Sequence, residues 1–579
     1  MLMEDTLLNQ LLEIVKKQSN ALELQSQVML SNGTGRTELR EQSATVLHRD
    51  LAEPAGTREI IHVTSTATPG GIAQPDSIEQ EVLLLVSRIA AYPATELKPS
   101  DALKNELGFD SLMMMELQSE LKKRYPDREV IIPLEVVDLT IRELVGIVSG
   151  TGDPSLAPAA DMAMPVEEDH NLPRVQPQLG VEQFPEYAAL KLRIENAGTV
   201  NPYYRLRGGI NKDTVVINGE PYINYSSYNY LGYAGNPDII TFVQEAVAEY
   251  GTSVSASRML SGEIPLHGEL EDAVSRFVGT EASLIYTAGH ATNVSTIAKL
   301  VGKEDIVLHD ELSHNSLIQG CLLSGAQRVS FPHNDWEALD RILSRMRHHR
   351  RRALIVIEGV YSMDGDIPDL PKFIEIKKKH QAMLYIDEAH SIGTIGATGR
   401  GICEYHGVSP AEVDLLMGTL SKAFASCGGY AAGSAPMIEY LKYLSDGFIF
   451  SAGITPANAA ASLAVIRALE QDPTPVHRLQ QNARQFLEQS KLLGLQTGLS
   501  GDTPIIPIIV GDSDATLQLT EILYQKGINV YPILYPAVSE EGACVRFFIT
   551  ANHTAEQIEW TVHQVAEGIQ SLKKESVTI

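Results

Sequence analysis

Lys422 is where this 579-residue chain offers its most specific chemistry. It closes Thr419-Leu420-Ser421-Lys422, just after the apolar run Asp414–Gly418, where partial burial would lower its pKa and leave an amine free to attack a carbonyl. Asp387 ends a second apolar run, Met383-Leu384-Tyr385-Ile386, and His390 lies three residues on. Taken singly, these read as a surface lysine and a helix-capping aspartate. What separates them from that reading is repetition. Asp310, His314, Glu358, Ser362 and Thr419 also follow apolar runs in the same stretch of chain. A lysine that forms an imine and a carboxylate that faces a ring nitrogen are the minimal set for pyridoxal phosphate.

A second reactive position is Ser111, in the segment LGFDSLMMMELQSELKKRYP. Gly108 breaks the preceding element, and a helix is expected to begin near Asp110 or Ser111, with Leu112, Met115 and Leu121 partly inward. That sets an exposed hydroxyl at a helix N-terminus, where amide N–H groups and the dipole favour a phosphate. The plainer reading is an N-cap serine on a helical hairpin.

The elements that must position these residues follow from pattern. From about residue 186, short apolar runs (ASLIYTAG, DIVLHDE, ALIVIEGV, AMLYIDEAH, DLLMGTLSK) alternate with helix-period stretches, which predicts an α/β domain with a mostly parallel sheet. Ligands of such sheets gather beyond the carboxyl ends of the strands. Residues 76–150 read as helices, with Ser77 and Thr140 as N-caps. Residues 1–30 carry helix-period leucines and read as a terminal amphipathic helix, with docking or dimerising as the sharper alternative. Residues 31–75 and 151–185 read as linkers, the second rich in proline and acid.

Composition limits the function classes. The net charge is −27, from 46 basic and 73 acidic residues, which argues against wholesale nucleic-acid binding. The four cysteines lack C-x-x-C spacing, so neither a disulfide framework nor a structural zinc site is expected. No metal ligand set stands out. The N-terminus lacks a signal-peptide layout and no run of 18 apolar residues occurs, so a cytoplasmic, non-membrane protein is expected.

Gly108-Phe109-Asp110-Ser111-Leu112, followed by Glu116-Leu117, resembles the signature of acyl carrier proteins, particularly those of polyketide assembly lines. The resemblance implies a four-helix carrier domain over 76–150, with 4′-phosphopantetheine on Ser111 attached by a phosphopantetheinyl transferase. Its 14 acidic and 8 basic residues suit recognition by basic patches on partner enzymes.

The rest of the chain, 186–579, resembles the α-oxoamine synthases, which include 8-amino-7-oxononanoate synthase and serine palmitoyltransferase. The likeness rests on S-Y-N-Y-L-G at 227–232, Y-G-T at 250–252, S-R-M-L-S-G at 257–262, E-G-V-Y-S-M-D-G-D at 358–366, D-E-A-H-S at 387–391, G-R-G at 399–401 and R-F-F-I-T-A-N-H at 546–553. It implies a fold-type I pyridoxal-phosphate transferase, a mixed and mostly parallel sheet with helices on both faces plus a small C-terminal α/β domain. It further implies that Lys422 holds the cofactor as an imine and moves the α-proton, and that Asp387 pairs with the ring nitrogen. His314 would stack on the ring, and Ser362 and His390 would bond its phenolic oxygen. Gly289 and His290 would offer backbone N–H groups to the phosphate, joined by the Thr419 hydroxyl. Arg546, assisted by Asn229, would bind the amino-acid carboxylate.

Three departures from the family pattern stand out. His290 replaces a usual aromatic, Ser253–Ala256 replaces a glycine-rich stretch, and Ala452 replaces a hydroxyl residue in the segment by which a second subunit of the implied homodimer reaches the phosphate.

Together the two resemblances imply a decarboxylative Claisen-type condensation. An amino acid would join an acyl thioester on the tethered carrier, giving an α-aminoketone and carbon dioxide in polyketide or other secondary metabolism. The acyl group would come from upstream acyl-loading or polyketide synthase proteins. An aminotransferase of the same fold is the nearest rival, and a carrier-presenting scaffold the non-enzymatic one. A further basic cluster, Arg345, Arg347 and Arg350–Arg352, reads as cations complementing a helix C-terminus, against the sharper reading of a landing surface for the carrier.

Overall fold

Side chains that stand at the ends of five strands of one sheet owe their meeting to the order of those strands. The computed structural model describes residues 78–90, 94, 97–104, 107–109, 111–125, 128, 139–149, 180–196, 202–535 and 537–577. The expected helix at 1–30, the linker at 31–75, Ser77 and the linker residues 151–179 lie outside them.

Three short strands open the large domain: β1 (Arg207–Gly208), β2 (Thr214–Ile217) and β3 (Glu220–Asn224). The main sheet comprises β4 (Ala282–Tyr286), β5 (Ile306–Asp310), β6 (Gln327–Phe331), β7 (Ala353–Glu358), β8 (Met383–Asp387), β9 (Leu415–Thr419) and β10 (Gly429–Gly433). Then follow β11 (Ile505–Ile509), β12 (Ile528–Asn529), β13 (Tyr531–Ile533) and β14 (Cys544–Phe548). The main sheet has the order β4-β10-β9-β8-β7-β5-β6, and only β10 runs against its neighbours.

The five expected apolar runs are β4, β5, β7, β8 and β9, while β6 and β10 come from QRVSF and GYAAG, which the apolar pattern does not mark; alternation divides the strands between two cores. Ile355 and Ile357 of β7, with Leu384 and Ile386 of β8, face one core; Leu354, Val356 and Tyr385 face the other. β7 and β8 are covered on both faces and stay apolar up to their last residues, so Glu358 and Asp387 mark their carboxyl ends. Crossover helices Gly289–Leu300, Asn315–Ser324, Trp336–Met346 and Leu370–His380 return the chain for the next parallel strand. Asp335 and Asp369 cap the last two by accepting from the N–H groups of Ala338 and Lys372. Lys377, Lys378 and Lys379 end the last of them, complementing the dipole and pairing with Asp414, Glu412 and Asp340.

The small C-terminal sheet, ordered β11-β14-β13, packs with helices Thr474–Leu492, Ser513–Gln525 and Ala555–Val577 around Phe486, Leu519, Phe547 and Val562. Mixed sheets with this topology are the fold-type I architecture expected. Among the described residues no helix is long and apolar enough to cross a membrane.

The N-terminal segment contributes helices Ile78–Ala90, Ser111–Arg124 and Ile141–Ser149, packed through Leu85, Val86, Leu117, Leu121, Leu144 and Val148. Thr140 caps the third in a reciprocal box: Glu143 N–H donates to its hydroxyl at 3.3 Å, and Thr140 N–H donates to the Glu143 carboxylate at 2.8 Å. The second begins at Ser111, as its sequence requires.

One buried acid locks the loop beyond β8. Glu388 accepts from Ile402 N–H at 3.2 Å and from the Ser391 hydroxyl, tying both ends of the turn-rich stretch 388–402 together. Burial pushes its carboxyl up from 4.5 to about 7, against the pull of those hydrogen bonds. The folded state therefore keeps a proton that the unfolded chain sheds, and stability falls as pH rises from 4.5 to 7, by about 3 kcal/mol in total. Glu388→Gln removes this decline. Urea unfolding at pH 5 and pH 8 should show the variant gaining stability over the native protein as pH rises; parallel pH profiles contradict the assignment.

Candidate active site

Because β4, β5, β7, β8 and β9 all point the same way, the polar residues after them converge. A cavity of about 450 Å³ is lined by Gly289 and His290 after β4, His314 after β5, Glu358 and Ser362 at and beyond the end of β7, Asp387 and His390 from β8, and Thr419 and Lys422 from β9. Arg546 enters from β14 of the small sheet. Asn229 does not join them: its amide donates to Asn211 O at 3.0 Å and accepts from Ala234 N–H at 3.2 Å, so it braces the S-Y-N-Y-L-G turn. Asp310 is also spent elsewhere, accepting from Leu312 N–H at 2.9 Å and pairing with His333 at 2.9 Å.

Lys422 sits in the loop between β9 and β10, partly buried, and desolvation lowers its amine to about 8 against the opposing pull of Asp387 and Glu358. At pH 7 roughly a tenth of such amines are neutral, against fewer than one in a thousand for an ordinary lysine. The Tyr228 ring lies 5.7 Å from the Lys422 nitrogen. Asp387 accepts from Asn293 Nδ2 at 2.7 Å and from Ala389 N–H at 2.8 Å. Glu358, paired with it across β7 and β8, is pushed well up by burial and then by the Asp387 charge.

The imidazoles are held neutral. His390 is buried, and desolvation, then the Lys422 charge, lowers it well below its usual range; Tyr230 OH and its Nδ1 are 2.8 Å apart. His314 is lowered chiefly by burial, its Nδ1 lies 2.7 Å from Ser316 Oγ, and its N–H donates to Glu358 at 2.6 Å. Two neutral rings therefore flank the amine, each with one nitrogen fixed by a hydroxyl.

At the other end of the cavity the helix Gly289–Leu300 starts without a side-chain cap, leaving its first N–H groups to a ligand. Backbone and hydroxyl approach closely there: a Cβ on Gly289 would lie 2.8 Å from Thr419 Oγ1. Arg546 Nη1 donates to Ser362 O at 2.7 Å, while its buried Nε has no partner among the described residues.

These features fit pyridoxal phosphate and an amino acid. A lowered amine, an oriented carboxylate, an uncapped helix start beside a hydroxyl, and an orphaned guanidinium N–H each match one part of that pair.

Sequence reasoning missed Asn293, Ser316 and Tyr230. Asn293 joins Asp387 to Ser316 Oγ (2.8 Å) and accepts from Tyr385 OH (2.7 Å). Its only sequence signal is position: four residues after Gly289, on the same helix face. Ser316 stands two residues from His314 and Tyr230 inside a motif already singled out. The basic cluster is mostly structural glue: Arg347 donates to His380 O and Gln381 O, Arg351 pairs with Asp305, and Arg352 donates to Leu300 O.

Residues 220–565 match the family of class I and II aminotransferases, and residues 80–148 match the phosphopantetheine attachment site family. The chain is 38% identical over 344 residues to 8-amino-7-oxononanoate synthase of Thermoanaerobacter pseudethanolicus, covering 59% of this chain and 87% of that protein. It is 36% identical over 363 residues to serine palmitoyltransferase of Sphingobacterium spiritivorum, covering 63% and 90%. Among solved structures, serine palmitoyltransferase of Sphingomonas wittichii superposes with a TM-score of 0.65 at 32% identity, over 68% of this chain and 99% of that one. A serine palmitoyltransferase carrying its pyridoxal phosphate as the internal aldimine gives 0.65 at 31%, over 69% and 100%. With Lys422, the Asp387 carboxylate and the orphaned arginine in one cavity, the match in sequence and fold makes this chain a member of the α-oxoamine synthases, pyridoxal-phosphate-dependent C-acyltransferases, joined to a phosphopantetheine attachment domain.

Proposed function

We propose that the protein joins an amino acid to an acyl group held as a thioester on a Ser111-linked phosphopantetheine arm. A C–C bond forms between the α-carbon and the thioester carbonyl, the C–S bond breaks to release the arm's thiol, and the carboxylate leaves as carbon dioxide. The product is an α-aminoketone. The observation that carries this reading is the meeting of Lys422, Asp387 and Arg546 in one cavity, in a chain that also matches a phosphopantetheine attachment site.

Pyridoxal phosphate, when bound, supplies the electron sink that stabilises a carbanion at the α-carbon. Lys422 would hold it covalently through Nζ, and the same nitrogen would take the α-proton of the amino acid. Asp387, oriented by Asn293 and the Ala389 amide, keeps the ring nitrogen protonated. Ser362 and His390 would bind its phenolic oxygen, and His314, like His390 kept neutral chiefly by burial, would face its ring. The Gly289 and His290 amides with the Thr419 hydroxyl would hold the phosphate. Arg546 takes the amino-acid carboxylate through the edge that carries its unpartnered Nε. Asn229, which braces the turn beside Tyr228 and Tyr230, acts on the substrate only through them.

The carrier is a four-helix domain over 76–150, loaded by a phosphopantetheinyl transferase and charged by acyl-loading or polyketide-synthase proteins. The enzyme works in the cytoplasm as a homodimer. Phe450 and Leu260, exposed at 81% and 80%, support a second subunit beside the segment that contains Ala452.

Three outcomes test the reading. Mass spectrometry after treatment with a phosphopantetheinyl transferase and coenzyme A should show one arm gained, and none in Ser111→Ala. Capture of pyridoxal phosphate by cofactor-free enzyme, trapped by borohydride, should quicken with pH around an apparent pKa near 8 and vanish in Lys422→Ala; a rise centred near 10.5 contradicts the buried amine. Arg546→Lys should raise KM for the amino acid about 10–100-fold with a smaller change in kcat. Amino transfer to an added 2-keto acid, with no carbon dioxide released when acyl thioester is supplied, would instead favour a transaminase reaction.

A further inference from the structure

β6 is the outer strand of the main sheet, and an outer strand offers unpaired backbone groups to whatever lies beside it. Val329, Ser330 and Phe331 are nevertheless buried, and their neighbour is the N-terminal helical segment. Ser330 Oγ donates to Gly108 O at 3.4 Å. A Cβ on Gly108 would stand 2.2 Å from Val329 Cγ1 and 3.0 Å from Ser330 O, and its φ of +68° equally excludes a side chain. Gln327 Nε2 donates to Ala90 O, the last carbonyl of the helix Ile78–Ala90, at 2.5 Å, while Arg350 donates to Gln327 Oε1. Leu107, Phe109, Val329 and Phe331 belong to one continuous apolar core.

We propose that this contact is the delivery position of the carrier: the arm on Ser111 reaches the cavity of its own chain from the β6 edge. The proposal rests on the reading of Ser111 given above. Ser330 is level with His309 in β5, Val356 in β7 and Tyr385 in β8, so Gly108 lies two residues short of the level of Asp387, toward the strand ends that carry the cavity. Three strand spacings, about 14 Å, separate β6 from β8. Ser111 is three residues from Gly108, at most about 11 Å of chain. Gly108 lies one further spacing out, about 19 Å from β8; an extended phosphopantetheine arm of roughly 18–20 Å at standard bond lengths covers that distance with Ser111 on the side of the strand ends. Of the basic cluster, Arg350 alone takes part, and it does so by fixing Gln327.

Gly108 belongs to the motif that marks the arm's attachment, so on this reading one glycine serves two needs. It ends the element before Ser111, and it lets the carrier backbone lie flat against the strand.

Gln327→Glu keeps an acceptor for Arg350 but sets a carboxylate against the Ala90 carbonyl and an acidic carrier. In full-length protein bearing the arm, turnover of the tethered acyl group should fall about tenfold or more, while turnover of free acyl-pantetheine holds. Unchanged turnover of both donors overturns the proposal. So does an equal fall in both, because Gln327 would then support the catalytic fold rather than docking. Coexpressed Ser111→Ala and Lys422→Ala chains should yield no active species, since neither chain holds both arm and lysine; restored activity would mean delivery between chains. If native protein takes up no arm on Ser111, the carrier reading fails and the docking with it. An arm present with tethered turnover untouched by Gln327→Glu sinks the docking alone.

Discussion

Lys422, Asp387 and Glu358 share one pocket, where burial pushes the Glu358 carboxyl up and the Lys422 amine down, and the Asp387 charge raises both. Asp387 and Glu358 end adjacent parallel strands in direct register, which sets their side chains next to each other on one face of the sheet. Two neighbouring carboxylates would repel, and Glu358 answers by keeping its proton. The amine is lowered by the same burial and kept from falling further by the acids. Asn293, Ser316, Tyr230 and the Ala389 amide fix which atoms face the cavity. Most of what surrounds the pocket either excludes water from these groups or holds their orientation.

The second sheet matters because it closes that pocket. Arg546 reaches from β14 to the carbonyl of Ser362, on a loop that leaves β7. His333 clamps the far end of this loop, 2.9 Å from Asp310 and 3.0 Å from Asp366. The two acids hold its imidazolium up to about 10 against desolvation, so the clamp stays charged at neutral pH. Loop, arginine and clamp form one chain of charge-assisted contacts running from the large sheet into the small one.

The strands were legible because five-residue apolar runs end in polar residues, and those terminators are the site: Asp387, Glu358 and Thr419 close β8, β7 and β9. Ser111 and Thr140 were legible as helix starts from local chemistry alone. Three features were not. Asn293 stands in a helix interior, where an asparagine carries no local signature. Asn229 sits in a telling motif, yet its amide is consumed by nearby backbone. The contacts of Gly108 with Ser330 and of Gln327 with Ala90 join segments more than 200 residues apart in sequence, through groups with no distinctive pattern of their own.

β10, Gly-Tyr-Ala-Ala-Gly, is the strand that departs from the parallel rule, and it pairs back on β9 with Thr419 directly opposite Gly429. The residues between them, Lys422 included, form a loop pinned at both feet by one ladder rather than a crossover passing from strand to helix. Leu420 N–H bonds to Gly428 O, and Ser426 N–H to Leu420 O, drawing the neck tight. A lysine mounted this way keeps its post whether its amine is bonded or free. It can let go of one partner and find the next within the swing of its own side chain, while the backbone beneath it stays still.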